Sequence, residues 1–241
     1  FLEGSALRER MRWYVEKLEH LSIIVYTKEK VKQVPQKIAE NVFAYPTNSS
    51  SPLFYIPDGF SLAGEISELK TLKIDLVTAQ DPFEAGALGF LLARRLGAKL
   101  HLQVHTDFLS PYFRGHSFFN MIRVVMSRFL LPRADGIRVV SNRIEESILK
   151  RYPNLQEKIS VLPVFVDLER FRNPLQKKDL HKEYPQFSFI ILMVSRLEKG
   201  KNSTAAFRVF RRLLGRFPQA GMVVAGKGGE ADSLCGFAEH M

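Results

Sequence analysis

Three basic side chains lie in a short loop between an apolar run and a helical pattern. Residues 187–194 (FSFIILMV) predict a buried strand, and residues 203–217 predict a helix. The loop between them contains Arg196, Lys199 and Lys201. Backbone N–H groups at a helix N-terminus attract anions, arginine can bind a phosphate through two hydrogen bonds, and lysine adds a point charge. We therefore interpret the loop as a diphosphate site, and a solvated basic loop is the alternative.

Four further residues lie next to predicted strands or helices, at the positions where open α/β sheets bind ligands. His105 ends the run KLHLQVHT, and its ring can bond a sugar hydroxyl or a phosphate; a structural histidine is the alternative. Asp107 follows that strand. Asp81 ends the preceding one, where we favour a turn at a helix entry over a ligand contact. Gly4 precedes the first predicted helix and allows a phosphate to approach the backbone closely. We take all four as candidate contacts of a phosphate or an acceptor.

A glycine-rich turn, residues 225–229 (AGKGG), follows another predicted strand. It lacks the full G-x-G-x-x-G spacing and comes second in its domain, so we interpret it as an ordinary strand-to-helix turn. This interpretation disfavours a nicotinamide-dependent oxidoreductase. The sequence contains no D-x-D, H-E-x-x-H or C-x-x-C run, and His101 and His105 would lie roughly 13 Å apart on a strand. We therefore expect neither a metal ion nor an organic cofactor.

Strand-like and helix-like segments alternate along the chain, which predicts parallel α/β sheets with helices on both faces. One predicted helix, residues 82–97, ends at Gly97. A stretch with several prolines, residues 163–174, separates two such units. We expect a Rossmann-like domain over residues 1–162, with its first strand missing, and the start of a second over residues 163–241. Because the second has only two clear strands, we expect the chain to be a fragment.

The charge and cysteine content restrict the partner and the compartment. The net charge is +10 over 241 residues, which favours nucleic acid, an anionic membrane surface or phosphorylated substrates. We disfavour nucleic acid because the basic residues are dispersed and no recognised binding module occurs. A single cysteine, Cys235, cannot form an internal disulfide and predicts a reducing, cytoplasmic setting.

Residues 112–133 (YFRGHSFFNMIRVVMSRFLLPR) combine aromatic side chains with four arginines around a predicted helix. Asn120, Arg123 and Ser127 mark its narrow polar face. Such a helix can lie on an anionic surface at the inner face of a membrane. We favour the other interpretation, in which a core helix packs on the sheet with arginines at its rim.

Four short motifs occur in an order that resembles glycosyltransferase family 4. They are VHTDF (104–108), VLPVFVDLERF (161–171), VSRLEKGKN (194–202) and VVAGKGGE (223–230). The last three follow the family patterns V-I-P-N-G-V-D-x-x-x-F, G/S-R-L-x-x-E-K-N/G and V-x-G-x-G-x-E. The resemblance covers most of the chain.

The resemblance implies the GT-B fold, which has two Rossmann-like domains, here with the C-terminal one truncated. It implies a hexosyltransferase that moves a sugar from a nucleotide-diphospho-sugar to a lipid-linked, glycan or other acceptor, with retained configuration and without a metal. Arg196 and Lys201 match the family residues that hold the donor diphosphate. His105 matches the histidine near the transferred sugar, which makes it the catalytic candidate, and Gly4 resembles the glycine of the first loop. A nucleotide-sugar epimerase of the same fold remains an open alternative.

The sequence also departs from the family pattern. Phe165 stands where the family commonly has glycine, and Lys199 and Gly200 replace the usual residue and glutamate before Lys201. The family's E-x7-E segment, which contacts the donor, would lie beyond Met241. We therefore expect the chain as given to be inactive in sugar transfer. The alternative function is a non-catalytic module that binds a phosphorylated ligand or a membrane surface.

Overall fold

The computed structural model describes residues 14–166, 168–172 and 178–239. The chain divides into two compact units, and the division falls between Phe165 and Val166. The described strands are β1 (Leu21–Val25), β2 (Gln36–Ala39), β3 (Val42–Pro46), β4 (Leu76–Ala79), β5 (Lys99–Val104), β6 (Gly136–Val139), β7 (Ile159–Val161), β8 (Phe189–Val194) and β9 (Ala220–Ala225).

The described α-helices connect these strands. They are α1 (Tyr55–Glu65), α2 (Glu68–Thr71), α3 (Glu84–Leu96), α4 (Pro111–His116), α5 (Phe118–Leu130), α6 (Asn142–Leu149), α7 (Glu169–Arg172), α8 (Leu180–Glu183), α9 (Ser203–Leu214) and α10 (Ala231–Glu239). Short 3-10 turns occur at Tyr14–Glu16, Glu29–Val31, Pro52–Phe54, Leu131–Arg133, Pro153–Lys158 and Lys199–Lys201.

Two sheets form the first unit. In one, β1 and β3 are parallel neighbours, and β2 pairs antiparallel with β3. In the other, β4, β5, β6 and β7 lie in that order and are all parallel. Parallel neighbours need crossover connections, and helices supply them here, so the carboxyl ends of all four strands share one edge. The predicted α/β class with parallel sheets is confirmed.

The four-stranded sheet buries one of its faces. Along β5, Leu100, Leu102 and Val104 alternate with more polar residues and lie in the main apolar core. Side chains of α3, α5 and α6 complete that core. This packing fixes where β5 ends and therefore where the residues that follow it stand.

The opposite face of the same sheet carries a polar network. Nδ1 of His101 lies 3.0 Å from the Thr78 hydroxyl, and Gln103 donates to that hydroxyl at 3.3 Å. Arg138 donates to the Gln103 side-chain oxygen at 2.8 Å. Partial burial, with the nearby Arg138 charge, lowers the pKa of His101. The sequence predicted helices on both faces of the sheet. Within the described residues, this face instead carries polar side chains that bond to one another.

The helix α3 shows how sequence signals set local bounds. Gly97 follows it in the left-handed conformation, with φ 66°, and its N–H donates to the Ala93 carbonyl. The predicted stop at Gly97 is therefore confirmed. A Cβ on Gly89 would lie 3.2 Å from the Ala79 side chain, so this glycine lets α3 lie close against β4.

The second unit is built on two parallel strands. β8 and β9 pair in register over six residues, from Phe189 with Ala220 to Val194 with Ala225. The helix α9 packs beside them through Phe207, which joins Leu197 and Leu234 in a small buried cluster. The strand and helix predicted on either side of the basic loop are both present.

The helix α5 packs against the core through only part of its apolar surface. Its buried positions include Asn120 and Ser127, which belong to the predicted polar face, together with Val124. The apolar residues Phe118 and Val125 are 68% and 64% exposed. The helix therefore packs on the core, as expected, through Val124 and Leu130, but it leaves much of its apolar surface exposed.

Candidate functional site

The loop after β8 holds the predicted diphosphate ligands on the surface. Arg196 lies 3.2 Å from a carboxylate oxygen of Glu198, and both side chains are largely exposed. Such an exposed pair adds little stability, so an incoming anion can replace Glu198 without a large penalty. Lys199 and Lys201 belong to one exposed 3-10 turn and form no ion pair within the described part of the chain. The loop therefore presents an excess of positive charge.

Backbone hydrogen bonds attach this loop to the turn after β9. The Ser195 N–H donates to the Ala225 carbonyl at 3.1 Å, and the Leu197 N–H donates to the Lys227 carbonyl at 2.9 Å. The Glu230 N–H donates to the Leu197 carbonyl at 3.0 Å, and the Leu197 side chain is buried beneath. The bonds fix the backbone that carries the basic side chains, although those side chains stay exposed.

The glycine-rich turn has a specific part in this contact. A Cβ on Gly226 would lie 1.8 Å from the Ser195 carbonyl oxygen, and one on Gly228 would lie 2.1 Å from that of Leu197. No side chain fits at either position, because the atoms in the way are backbone atoms. The interpretation of AGKGG as an ordinary turn is therefore incomplete, since the backbone of this turn packs against the basic loop and supports it.

The first turn of α9 borders the loop. Asn202, which precedes the helix, adopts the left-handed conformation (φ 51°, ψ 42°) and makes no side-chain capping bond to it. Asparagine tolerates this conformation better than most residues. Ser203, the first helical residue, is buried, and its hydroxyl has no hydrogen-bond partner among the described residues. The start of α9, beside Lys201, therefore has hydrogen-bond donors that no side-chain cap of Asn202 uses.

The residues predicted after β5 have two different environments. His105 directly follows the strand and is exposed. Asp107 is mostly buried and bonds to α6: its Oδ1 accepts from the Ser147 hydroxyl at 2.8 Å, and Oδ2 lies 3.3 Å from Arg143. Asp107 thus ties the β5 loop to a neighbouring helix.

Asp81 occupies the start of α3. Its Oδ1 accepts from the Phe83 and Ala85 N–H groups at 2.7 and 3.2 Å, as a helix-capping carboxylate does. Burial raises the pKa of Asp81, and the two backbone bonds oppose that shift. The Tyr26 hydroxyl donates to the Glu84 carbonyl nearby at 3.1 Å, and burial raises the pKa of this phenol.

The structure brings some of the predicted residues together. Arg196 and Lys201 share one loop of the second unit, while Asp81, His105 and Asp107 lie at strand ends of the first. Gly4 lies outside the described residues. Among the described residues, no group of three or more His, Cys, Asp or Glu side chains is placed to hold a metal ion.

Sequence reasoning missed two residues beside the basic loop. Lys227 is exposed, and its carbonyl accepts a bond from the Leu197 N–H, so a further cationic residue belongs to the turn that supports the basic loop. The lysine between the glycines of AGKGG was the sequence feature that could have identified it. The other is Ser203, whose burial no local pattern indicated.

Comparison with known proteins shows the family. The sequence profile of Glycosyltransferase Family 4 matches residues 15–170, well over half of the chain. This range contains His105, Asp81 and Asp107, whereas the basic loop lies beyond it.

Two curated relatives match most of the chain. It is 28% identical over 208 residues to alpha-monoglucosyldiacylglycerol synthase of Streptococcus pneumoniae, a match that covers 80% of this chain and 46% of that protein. It is 21% identical over 199 residues to an uncharacterized glycosyltransferase of Methanocaldococcus jannaschii, with 78% and 48% covered. The chain thus spans about half of the length of the curated relatives that it matches.

Solved structures share the fold. Anabaena HepE in complex with UDP-glucose is similar with a TM-score of 0.59 at 14% identity, covering 91% of this chain and 65% of that one. An α,α-trehalose-phosphate synthase of Burkholderia xenovorans, in complex with glucose-6-phosphate, gives 0.60 at 13% identity, with 100% and 69% covered. At these identities the likeness shows only the fold, an α/β architecture of the GT-B type. Together with the profile match, these findings establish that the chain belongs to glycosyltransferase family 4.

Proposed function

We propose that this chain is part of an enzyme that transfers a sugar from a nucleotide-diphospho-sugar to an acceptor, with retention of configuration. The observation that carries the proposal is the loop after β8, where Arg196, Lys199 and Lys201 are exposed on a platform fixed by backbone bonds. Membership of glycosyltransferase family 4 supports the reaction class.

The chemistry follows from the charge that develops on the donor. When the bond between sugar and diphosphate breaks, negative charge accumulates on the departing phosphate oxygens. In this proposal Arg196 and Lys201 stabilise that charge, because fixed cations are most effective where charge develops. In this proposal the two side chains supply the positive charge, and neither a metal nor an organic cofactor takes part.

The first unit supplies the remaining proposed roles. We assign residues 1–162 to the acceptor side and residues 163–241 to the donor side. His105 is the proposed group beside the transferred sugar, because it is exposed at the end of β5. Asp81 and Asp107 bond to α3 and α6, so we assign them to positioning the loops at this edge.

The acceptor class is a finer proposal. The streptococcal relative is named as a synthase of a glucosylated diacylglycerol, which supports a lipid acceptor for the protein. A glycan acceptor is the alternative within the same proposal. Anabaena HepE, a structural relative, has been solved in complex with UDP, which makes UDP the first nucleotide to test.

The direct test is calorimetric titration of the chain with UDP and with GDP. An Arg196→Ala/Lys201→Ala variant removes both proposed contacts. Each hydrogen bond to a charged group contributes about 1.5–3 kcal/mol, so we expect affinity to fall by about 100-fold or more. An Arg211→Ala/Arg212→Ala variant is the control, because it removes the same charge from the exposed side of α9.

This control distinguishes a specific anion-binding site from general attraction of the nucleotide to a basic surface. The proposal predicts that the control binds within about threefold of the parent, since exposed charges act weakly at a distance in salt. Equal losses in both variants would show general attraction to a basic surface. Absence of UDP and GDP binding by the parent would contradict the assignment of the donor site to this loop.

A further inference from the structure

The outer side of α5 carries a continuous apolar stripe. Phe118, Ile122, Val125 and Phe129 are all exposed and follow one another at intervals of four, three and four residues. That spacing places them on one side of the helix. Exposed Phe119 and Met121, on the same helix, flank this stripe. We call this set of six residues the α5 apolar surface.

Three polar residues of the helix are bonded on its inner side. Arg123 lies 2.8 Å from Glu84 of α3, and Asn120 donates to the Phe113 carbonyl at 2.9 Å. The Ser127 hydroxyl donates to the Val124 carbonyl within the helix at 2.8 Å. The bonds to Glu84 and Phe113 fix which side of α5 faces the core, so the helix cannot turn its exposed apolar residues inward without breaking them. Contiguous apolar surface of this kind marks a site of interaction.

Arginines border one end of this surface. The Arg133 guanidinium lies 3.7 Å from the centre of the Phe129 ring and donates to the Phe129 carbonyl at 2.7 Å. Phe129 packs edge-on against Phe90 of α3, with ring centres 5.7 Å apart, and Arg94 lies over Phe90. Aromatic rings and cations are thus interleaved where α5 meets α3.

The charge around α5 indicates which kind of partner binds the α5 apolar surface. Residues 108–134 contain four arginines and no aspartate or glutamate. Glu84, the nearby acid named above, is paired with Arg123 on the inner side. A second copy of this surface would bring further arginines and no acidic residue from residues 108–134, whereas the headgroups of anionic lipids complement both the charge and the apolar stripe.

We propose that the α5 apolar surface and its arginines bind the surface of an anionic lipid bilayer, with the helix lying in the plane of the interface. No helix in the described part of the chain is long and apolar enough to cross a bilayer. The inference goes beyond the proposed function, because it requires neither a nucleotide nor sugar transfer.

The test is flotation of the chain with vesicles in the absence of nucleotide. Vesicles of phosphatidylcholine alone are compared with vesicles that contain an equal amount of phosphatidylglycerol. We expect binding to the anionic vesicles and at least tenfold weaker binding to the neutral ones, roughly the contribution of two arginines near the surface. Rising salt should weaken the binding, because it screens the arginines.

Two matched variants locate the contact. Phe118→Ser/Val125→Ser changes one phenylalanine and one valine of the α5 apolar surface. Val209→Ser/Phe217→Ser changes the same residue types at exposed positions on and after α9. The first variant should lose about tenfold or more of its vesicle binding, because two apolar side chains no longer enter the interface. The second should bind like the parent.

Circular dichroism and the thermal midpoint establish that each variant is folded. Failure of the parent to bind anionic vesicles would overturn the proposal, and so would equal binding by the parent and the α5 variant. Sedimentation tests the competing occupant: a dimer that the α5 variant abolishes, without vesicle binding, would assign this surface to a second copy instead.

Discussion

Two helices of this molecule, α5 and α9, have similar composition but differ in whether they bury their aromatic residues. Each has apolar residues at helical spacing and arginines within it and just beyond its end. In α9 the aromatic residues Phe207 and Phe210 are buried and the arginines face outward. In α5 the phenylalanines at both ends, Phe118 and Phe129, face outward, and Arg123 faces inward.

The difference shows what amphipathic periodicity does and does not determine. The period identifies a helix and divides its surface into two sides, but it does not say which side meets the core. Partners on neighbouring elements decide that. Glu84 of α3 offers Arg123 an ion pair at 2.8 Å, whereas the four arginines of α9 and its flank, residues 208–216, stay on the exposed side.

The largest expected effect is the difference in the free energy of unfolding between substitutions at two adjacent valines of α5. Val124 is buried in the main core, and Val125 is exposed. Val124→Asp places an unpaired carboxylate in the core and should lower the free energy of unfolding by about 3–5 kcal/mol. Val125→Asp should change it by less than about 0.5 kcal/mol. Thermal and urea unfolding measure both; similar losses would mean that α5 is not oriented as described.

A smaller effect is expected from a pair of phenylalanines, one on each helix. Phe207 of α9 is 5% exposed, and Phe118 of α5 is 68% exposed. Phe207→Ala should destabilise the second unit by about 3 kcal/mol, because it leaves a cavity beside Leu197. Phe118→Ala should have little effect on stability. If Phe118→Ala lowered the free energy of unfolding as much as Phe207→Ala does, the proposed difference between the two helices would be wrong.

Local signals predicted much of this fold. Apolar runs and helical periods identified β8 and α9, and Gly97 marked the end of α3 because only a few residue types adopt its left-handed conformation easily. The positions of Arg196 and Lys201 after a strand also followed from the sequence. These features depend on neighbours along the chain.

Other features depend on residues distant in sequence. Gly226 and Gly228 face the backbone of residues 195–197, a contact that no local pattern describes. The engagement of Asp107 by Ser147 and Arg143, and the inward turn of Arg123 toward Glu84, are also long-range contacts. The catalytic assignment of His105 and the diphosphate assignment of Arg196 and Lys201 stay predictions until binding is measured.

The most direct test of the outward orientation of α5 compares Val125 with Val209. Val125 on α5 and Val209 on α9 are 64% and 66% exposed, so their exposure alone does not distinguish them. Cys235, the native and exposed cysteine, is first replaced by serine. Val125→Cys and Val209→Cys are then labelled with a fluorophore that responds to polarity, and anionic vesicles are added. We predict a blue-shifted, brighter emission from position 125 and no change at position 209. Equal responses at both positions, or a response at 209 alone, would contradict the account.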